Sequence, residues 1–222
     1  MIPSTKDGVT IRLMTEEDYG IVKPFVKDNF FGSEPMCASS GEEVHLQNEK
    51  ENDAYHLCMI AQDTCLVALD EKNGGRLVGV VLAGCQVPQD LEKNRIDAEA
   101  MEANFWGRAS IFISQIEREA NVFERFGISR VLYSHITSAD TSMRGKGLGS
   151  RLAATLMEVG RSKGFPAMVA YCTSFFSARQ KEALGMQCIH SVAYADYKDA
   201  QGRAMFTPDA PHTTVRVLAI KL

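Results

Sequence analysis

The sequence predicts a mixed α/β fold of the α+β kind: a central twisted sheet of about seven strands flanked by helices. Three observations predict it. Residues 130–138 (RVLYSHITS) are rich in β-branched and aromatic side chains and read as a strand. A glycine-rich turn follows, and then Leu148, Leu152, Leu156 and Val159 recur at steps of four, four and three, one face of a 3.6-residue repeat. Residues 167–172 (AMVAYC) read as a short buried strand, which completes a strand–helix–strand unit with hairpin patterns on both sides of it.

The elements follow in order. Residues 9–14 alternate and form the first strand. Thr15 before Glu16, Glu17 and Asp18 starts a helix that runs through Tyr19, Ile21, Val22 and Phe25 to about Phe30. Residues 31–36 are a loop with an acid beside a proline, and residues 39–51 are polar and partly helical, with Ser40 and Glu43 in capping-box spacing. Residues 64–69 and 77–82 are strands joined by a turn at 70–76 that contains Gly74 and Gly75. From 90 to about 124 an inserted segment carries Ile96, Met101, Phe105, Ile113, Ile116 and Ala120 in helical spacing, with a break near Gly107. The helix over 146–163 ends on a basic turn and Gly164. A further helix spans 174–184, and 187–197 and 213–221 are the last two strands.

The totals suit one domain over residues 1–222, of ordinary hydrophobic content (45%) and charge content (23%). A net charge of −4 argues against a partner built on a phosphate backbone, so no nucleic acid is expected. The start lacks a basic region followed by an apolar run, and no apolar stretch approaches a membrane span, so a cytoplasmic protein with no membrane partner is expected. A monomer is expected as well. Cysteines 37, 58, 65, 85, 172 and 188 show no CxxC or zinc spacing and read as buried free thiols, Cys58 and Cys85 included. The five histidines are dispersed, so no metal is expected.

Chemistry concentrates in residues 141–165, TSMRGKGLGSRLAATLMEVGRSKGF. Glycines at a helix start let an anion approach the backbone, where free N–H groups and the helix dipole meet it. A Walker A loop is excluded because Gly147, not Ser or Thr, follows Lys146. A dinucleotide fingerprint is excluded because Ser150 stands where a third glycine belongs and no acid lies between Glu158 and Glu182. The pattern Arg144-Gly-x-Gly-x-Gly after a strand and before an amphipathic helix instead resembles the acetyl-CoA motif of the GCN5-related N-acetyltransferases. Three further segments resemble the insect arylalkylamine N-acetyltransferases within that superfamily. They are residues 29–36 (NFFGSEPM), residues 172–179 (CTSFFSAR) with Leu184-Gly185-Met186, and Tyr194-Ala195-Asp196-Tyr197 with Phe206 and residues 208–212 (PDAPH).

The resemblance implies acetyl-CoA as co-substrate, transfer to the primary amine of a small arylalkylamine, and Glu34 as general base. It implies that the backbone of Ser138, Ala139 and Asp140 pairs with the pantetheine arm, with carbonyl polarisation near Ala139. It also implies that Gly145, Lys146, Gly147, Leu148, Gly149 and Ser150 hold the diphosphate. Arg144 is a phosphate contact or a surface ion pair. Many members of the wider family carry a tyrosine where this chain has Lys181. Thr173 and Ser177 stand where the insect group has two serines, and they share a helix face if the helix has begun there; they are proton donors to the leaving thiolate or structural hydroxyls. Phe30, Phe31, Phe175, Phe176, Tyr194 and His212 are candidates for the amine pocket. The alternatives are a polyamine, agmatine-like or protein amine as acceptor, or a module that binds acetyl-CoA without turnover.

Overall fold

A computed structural model describes residues 4–42 and 49–222. They contain an eight-stranded sheet made of β1 (Ser4–Lys6), β2 (Val9–Leu13), β3 (Leu66–Asp70), β4 (Arg76–Gln86), β5 (Val131–Ala139), β6 (Ala167–Cys172), β7 (Gln187–Ala193) and β8 (Thr214–Lys221). The strand order is β1-β2-β3-β4-β5-β6-β8-β7. Only β5 and β6 pair in parallel. The expected mixed fold is therefore present with one strand more than the sequence reading, because the three-residue β1 is too short to carry an alternating pattern.

Helices cover both faces. On one lie α7 (Leu148–Ser162) and α8 (Phe175–Glu182), and the α7 stripe of Leu148, Leu152, Leu156 and Val159 is buried to 2% exposure or less. Burying a leucine side chain contributes about 1.5–3 kcal/mol, so this stripe fixes α7 to the sheet. Gly164, with φ +69°, closes α7, and the Phe165 N–H donates back to the Gly160 carbonyl at 2.9 Å.

The other face carries α1 (Tyr19–Val26), α2 (Pro35–Ser40) and α3 (Glu49–Ile60), then α4 (Pro88–Ala100), α5 (Phe105–Ala120) and α6 (Val122–Phe126). Helix α1 is entered through Thr15, whose N–H donates to Asp18, while Arg12 holds Asp18 with two bonds of 2.7 Å. The helical insertion near 90–124 is present, but its break lies at 101–104, not at Gly107. Gly107 sits in the first turn of α5, where a Cβ would lie 2.1 Å from the Glu102 carbonyl oxygen. Residues 43–48 lie outside the described residues, so the Ser40/Glu43 capping box does too. Cys37, Cys65 and Cys172 are buried thiols, but Cys58, Cys85 and Cys188 are exposed, which corrects the expectation for those three. Among the described residues, no helix is long and apolar enough to cross a membrane.

Candidate functional site

The parallel strands β5 and β6 keep company only at Leu132–Met168 and Tyr133–Val169. On the other side of β5, Leu82 pairs with Ile136 and the next residue, Ala83, pairs with Ser134, so His135 is a bulged residue. Beyond the bulge β5 leaves β6, and a cleft of about 830 Å³ fills the gap. Its wall is an unpaired strand edge. The Asp140 N–H donates to the Val78 carbonyl at 2.9 Å, which fixes the alternation of the ladder. Ser138 therefore exchanges bonds with Val80, whereas Thr137 and Ala139 direct their N–H and C=O groups into the opening.

This corrects part of the sequence reading. The Ala139 backbone faces the cleft, the Ser138 backbone faces β4, and Asp140 is fully engaged. Its carbonyl accepts from Met143, and its carboxylate accepts from Ser142 and from Arg76 at 3.0 Å, which holds that carboxyl below the usual range. Asp140 builds the corner between strand and loop. Ser138 still lines the cleft.

The strand edge runs into the start of α7. Gly147 is the N-cap, at φ +73°, a left-handed conformation that glycine alone adopts without strain. The Arg151 N–H makes the first helical bond, to the Gly147 carbonyl at 3.1 Å. The amides of Leu148, Gly149 and Ser150 lie in the first turn, where no intrahelical acceptor exists, and they face the cleft with the positive end of the helix dipole. Arg144 and Gly145 line the same wall. Lys146 does not: its N–H is taken by the Met143 carbonyl at 3.2 Å. Gly149 also lets α8 approach, since a Cβ there would lie 2.9 Å from Gln180 Oε1.

Glu34 stands across the cleft. A π-helical turn, Lys27–Phe31, precedes it, and it serves as N-cap of α2 with Pro35 at the first helical position. Glu34 Oε2 accepts from the Cys37 N–H at 2.7 Å. Only 6% of the residue is exposed, and Oε1 is buried with no hydrogen-bond partner among the described residues. A buried carboxylate oxygen left unpaired is costly, so this one is shaped for a donor that arrives from the cleft.

The third wall is α8. Thr173 lies before the helix, whose N-cap is Ser174, so the shared helix face expected of Thr173 and Ser177 is absent; both nevertheless line the cleft. The Tyr194 hydroxyl donates to the Thr173 carbonyl at 2.8 Å, and the Phe175 N–H donates to His212 Nδ1 at 3.2 Å. His212 thus holds the start of α8 and lines the cleft as well. Lys181 Nζ donates to Ser177 Oγ at 3.0 Å. The structure divides the four phenylalanine candidates. Phe30 and Phe176 line the cleft, whereas Phe31 packs its ring against Trp106 and Phe175 is 40% exposed outside the cleft.

Sequence reasoning missed His135 and Tyr171, which form the cleft floor, and Gln180 and Lys181, which line it. Tyr133 and His135 share a 3.0 Å hydrogen bond, and Tyr171 stacks edge-on to Tyr133. Alternation within β5 gave no signal for His135, because the bulge interrupts the ladder there. Beneath the floor, Glu117 accepts from Gln86 at 3.3 Å and Asn94 at 2.9 Å, and burial pushes its carboxyl up to about 7. Among the described residues, no group of three or more His, Cys, Asp or Glu side chains is arranged to hold a metal ion.

No family model matches the sequence. Solved structures do. The chain is similar to mosquito arylalkylamine N-acetyltransferase like 5b, with 27% identity over 96% of this chain and 100% of that one, at a TM-score of 0.87. It is similar to an apo mutant of agmatine N-acetyltransferase, with 28% identity over 97% and 100% and a TM-score of 0.88. It is also similar to the Drosophila melanogaster polyamine N-acetyltransferase that catalyses formation of N-acetylagmatine, with 28% identity over 96% and 100% and a TM-score of 0.86.

Proposed function

From a chain that belongs to the GCN5-related N-acetyltransferase superfamily and is an acyltransferase, we propose an acetyl-CoA-dependent N-acetyltransferase acting on the primary amine of a small arylalkylamine. The observation that carries the reading is the continuity of one surface. The open edge at Thr137 and Ala139 leads directly to the uncapped amides at the start of α7, with the unpaired Glu34 oxygen opposite. An extended amide-bearing arm suits the first and a diphosphate the second.

In this reading the co-substrate supplies an acetyl thioester. Leu148, Gly149 and Ser150 hold its diphosphate by their amides, and Arg144 adds charge at the rim. The Ala139 N–H lies on the edge where it can polarise the thioester carbonyl. An alkylamine is mostly protonated at neutral pH, with a pKa of about 10. Glu34 Oε1 receives the ammonium and takes a proton from it, directly or through water, to free the attacking lone pair. Ser177 and Thr173 sit on the wall where the sulfur departs, and Ser177 donates the proton it needs. The floor of His135 and Tyr171 is aromatic and uncharged, because burial holds the His135 imidazole down at about 3. That supports an arylalkyl body over a second cation. One domain of residues 1–222 would carry the whole activity.

The test is a steady-state screen of the purified protein with acetyl-CoA, read as free thiol. Phenethylamine-type and indolethylamine-type substrates are expected to turn over with higher kcat/KM than agmatine or spermidine. Faster turnover of the dications would transfer the reading to a polyamine acceptor, and no turnover with any amine would remove the enzyme reading.

A further inference from the structure

Lys181 is 3% exposed, lies in the last turn of α8, and lines the cleft. Lysines are almost never this deeply buried without a carboxylate partner, yet no carboxylate among the described residues forms an ion pair with it. Its one side-chain hydrogen bond among them is the 3.0 Å donation to Ser177 Oγ. The α8 dipole offsets part of the cost of burying the charge, but a cation there remains poorly compensated until negative charge appears in the cleft. Because Ser177 Oγ already accepts from Lys181, its own hydrogen must point elsewhere. The acceptor it has is the Cys172 sulfur at 3.6 Å, a weak partner that a better one can displace.

We propose that Lys181 is a positioning residue that makes Ser177 a proton donor to the departing sulfur. The proposal rests on the acetyl-transfer reading above. As the amine nitrogen bonds to the acetyl carbon, the carbon–sulfur bond breaks and its electron pair stays on sulfur. The Ser177 hydroxyl proton moves to sulfur, and a Lys181 Nζ proton moves to Ser177 Oγ. The amine loses two protons over the reaction: one replaces that of Lys181 through cleft water, and one is released to solvent through Glu34.

The test compares Lys181→Met and Lys181→Arg with wild type, using acetyl-CoA and its selenoester analogue, whose selenolate leaves without needing a proton. Lys181→Met is expected to lower kcat with acetyl-CoA by about 100-fold, within the usual range for a lost general acid. Its acetyl-CoA dissociation constant should stay within ~3-fold, and its melting temperature should rise, because an uncompensated buried charge has been removed. On the selenoester its kcat should lie within ~3-fold of wild type, since the barrier it serves is absent. Lys181→Arg should recover part of the acetyl-CoA rate, and Lys181→Met should cost less than ~2-fold more in a Ser177→Ala background, as expected of coupled residues. Equal losses on both donors would overturn the proposal as a structural effect. A weakened dissociation constant with unchanged kcat would make Lys181 a ligand-binding charge instead. A wild-type protein that acetylates no amine from either donor would overturn the acetyl-transfer reading, and this proposal with it.

Discussion

The Tyr194 hydroxyl donates to the Thr173 carbonyl at 2.8 Å, tying a 3%-exposed ring beyond β7 to the last residue before the α8 cap. Neither residue's role is visible from the other in sequence. Together they set where the third wall of the cleft begins. Tyr194→Phe should lower stability by about 1 kcal/mol, the usual worth of one hydrogen bond. If the placement of Thr173 and α8 matters for chemistry, kcat should fall several-fold with acetyl-CoA affinity unchanged. Denaturant melts and steady-state rates check this together, and unchanged kcat would assign the bond to stability alone.

Gly147 tests the cradle. A Cβ there would meet nothing within 4 Å, so any effect of Gly147→Ala comes from its φ of +73° and not from a clash. Holding alanine in the left-handed region costs about 1–2 kcal/mol. The loop relieves that strain by moving the amides that follow it. Calorimetric titration should show acetyl-CoA binding weakened by roughly 5- to 30-fold, the same energy expressed in affinity. Affinity equal to wild type would mean the anion does not sit on the α7 amides.

Two buried groups under the cleft floor give stability opposing pH slopes. Burial raises the Glu117 carboxyl to about 7 from an ordinary 4.5, so the folded state binds the extra proton between those values. Stability from this group therefore falls as pH rises through that window, with a penalty on the order of 3 kcal/mol above it. Burial lowers His56 to about 4, so its contribution falls as pH drops below about 6.5. Glu117→Gln removes only the first slope. Thermal melts from pH 4 to 8 should show the variant gaining on wild type as pH rises from 4.5 to about 7 and levelling off above, and a constant difference throughout would contradict the burial argument.

Legibility in the sequence followed the physics of each element. Helix α7 was readable to within two residues because its apolar stripe is complete, and β6 was readable in full because all its neighbours bury it. Helix α3 was missed because polar and charged residues surround it, with only His56, Met59 and Ile60 buried. The position of Glu34 was read from a resemblance, but its burial came from the π-turn and the α2 cap, which no short-range pattern announces. The choice of Thr137 and Ala139 over Ser138 and Asp140 depends on which residues β4 pairs with, and the His135 bulge exists only once that partner is in place. Of the four phenylalanines expected near the pocket, Phe30 and Phe176 line the cleft and Phe31 and Phe175 do not.

The central claim is that Glu34 takes the amine proton, and Glu34→Gln tests it most directly. Glutamine keeps an oxygen for the Cys37 N–H and so preserves the α2 cap, while removing the base. With acetyl-CoA and the best amine from the screen, kcat/KM near neutral pH should fall about 10²- to 10⁴-fold, the range for a lost general base. Acetyl-CoA affinity should not change, and part of the rate should return at high pH, where the free amine supplies itself. A variant that retains wild-type kcat/KM at neutral pH would contradict the account.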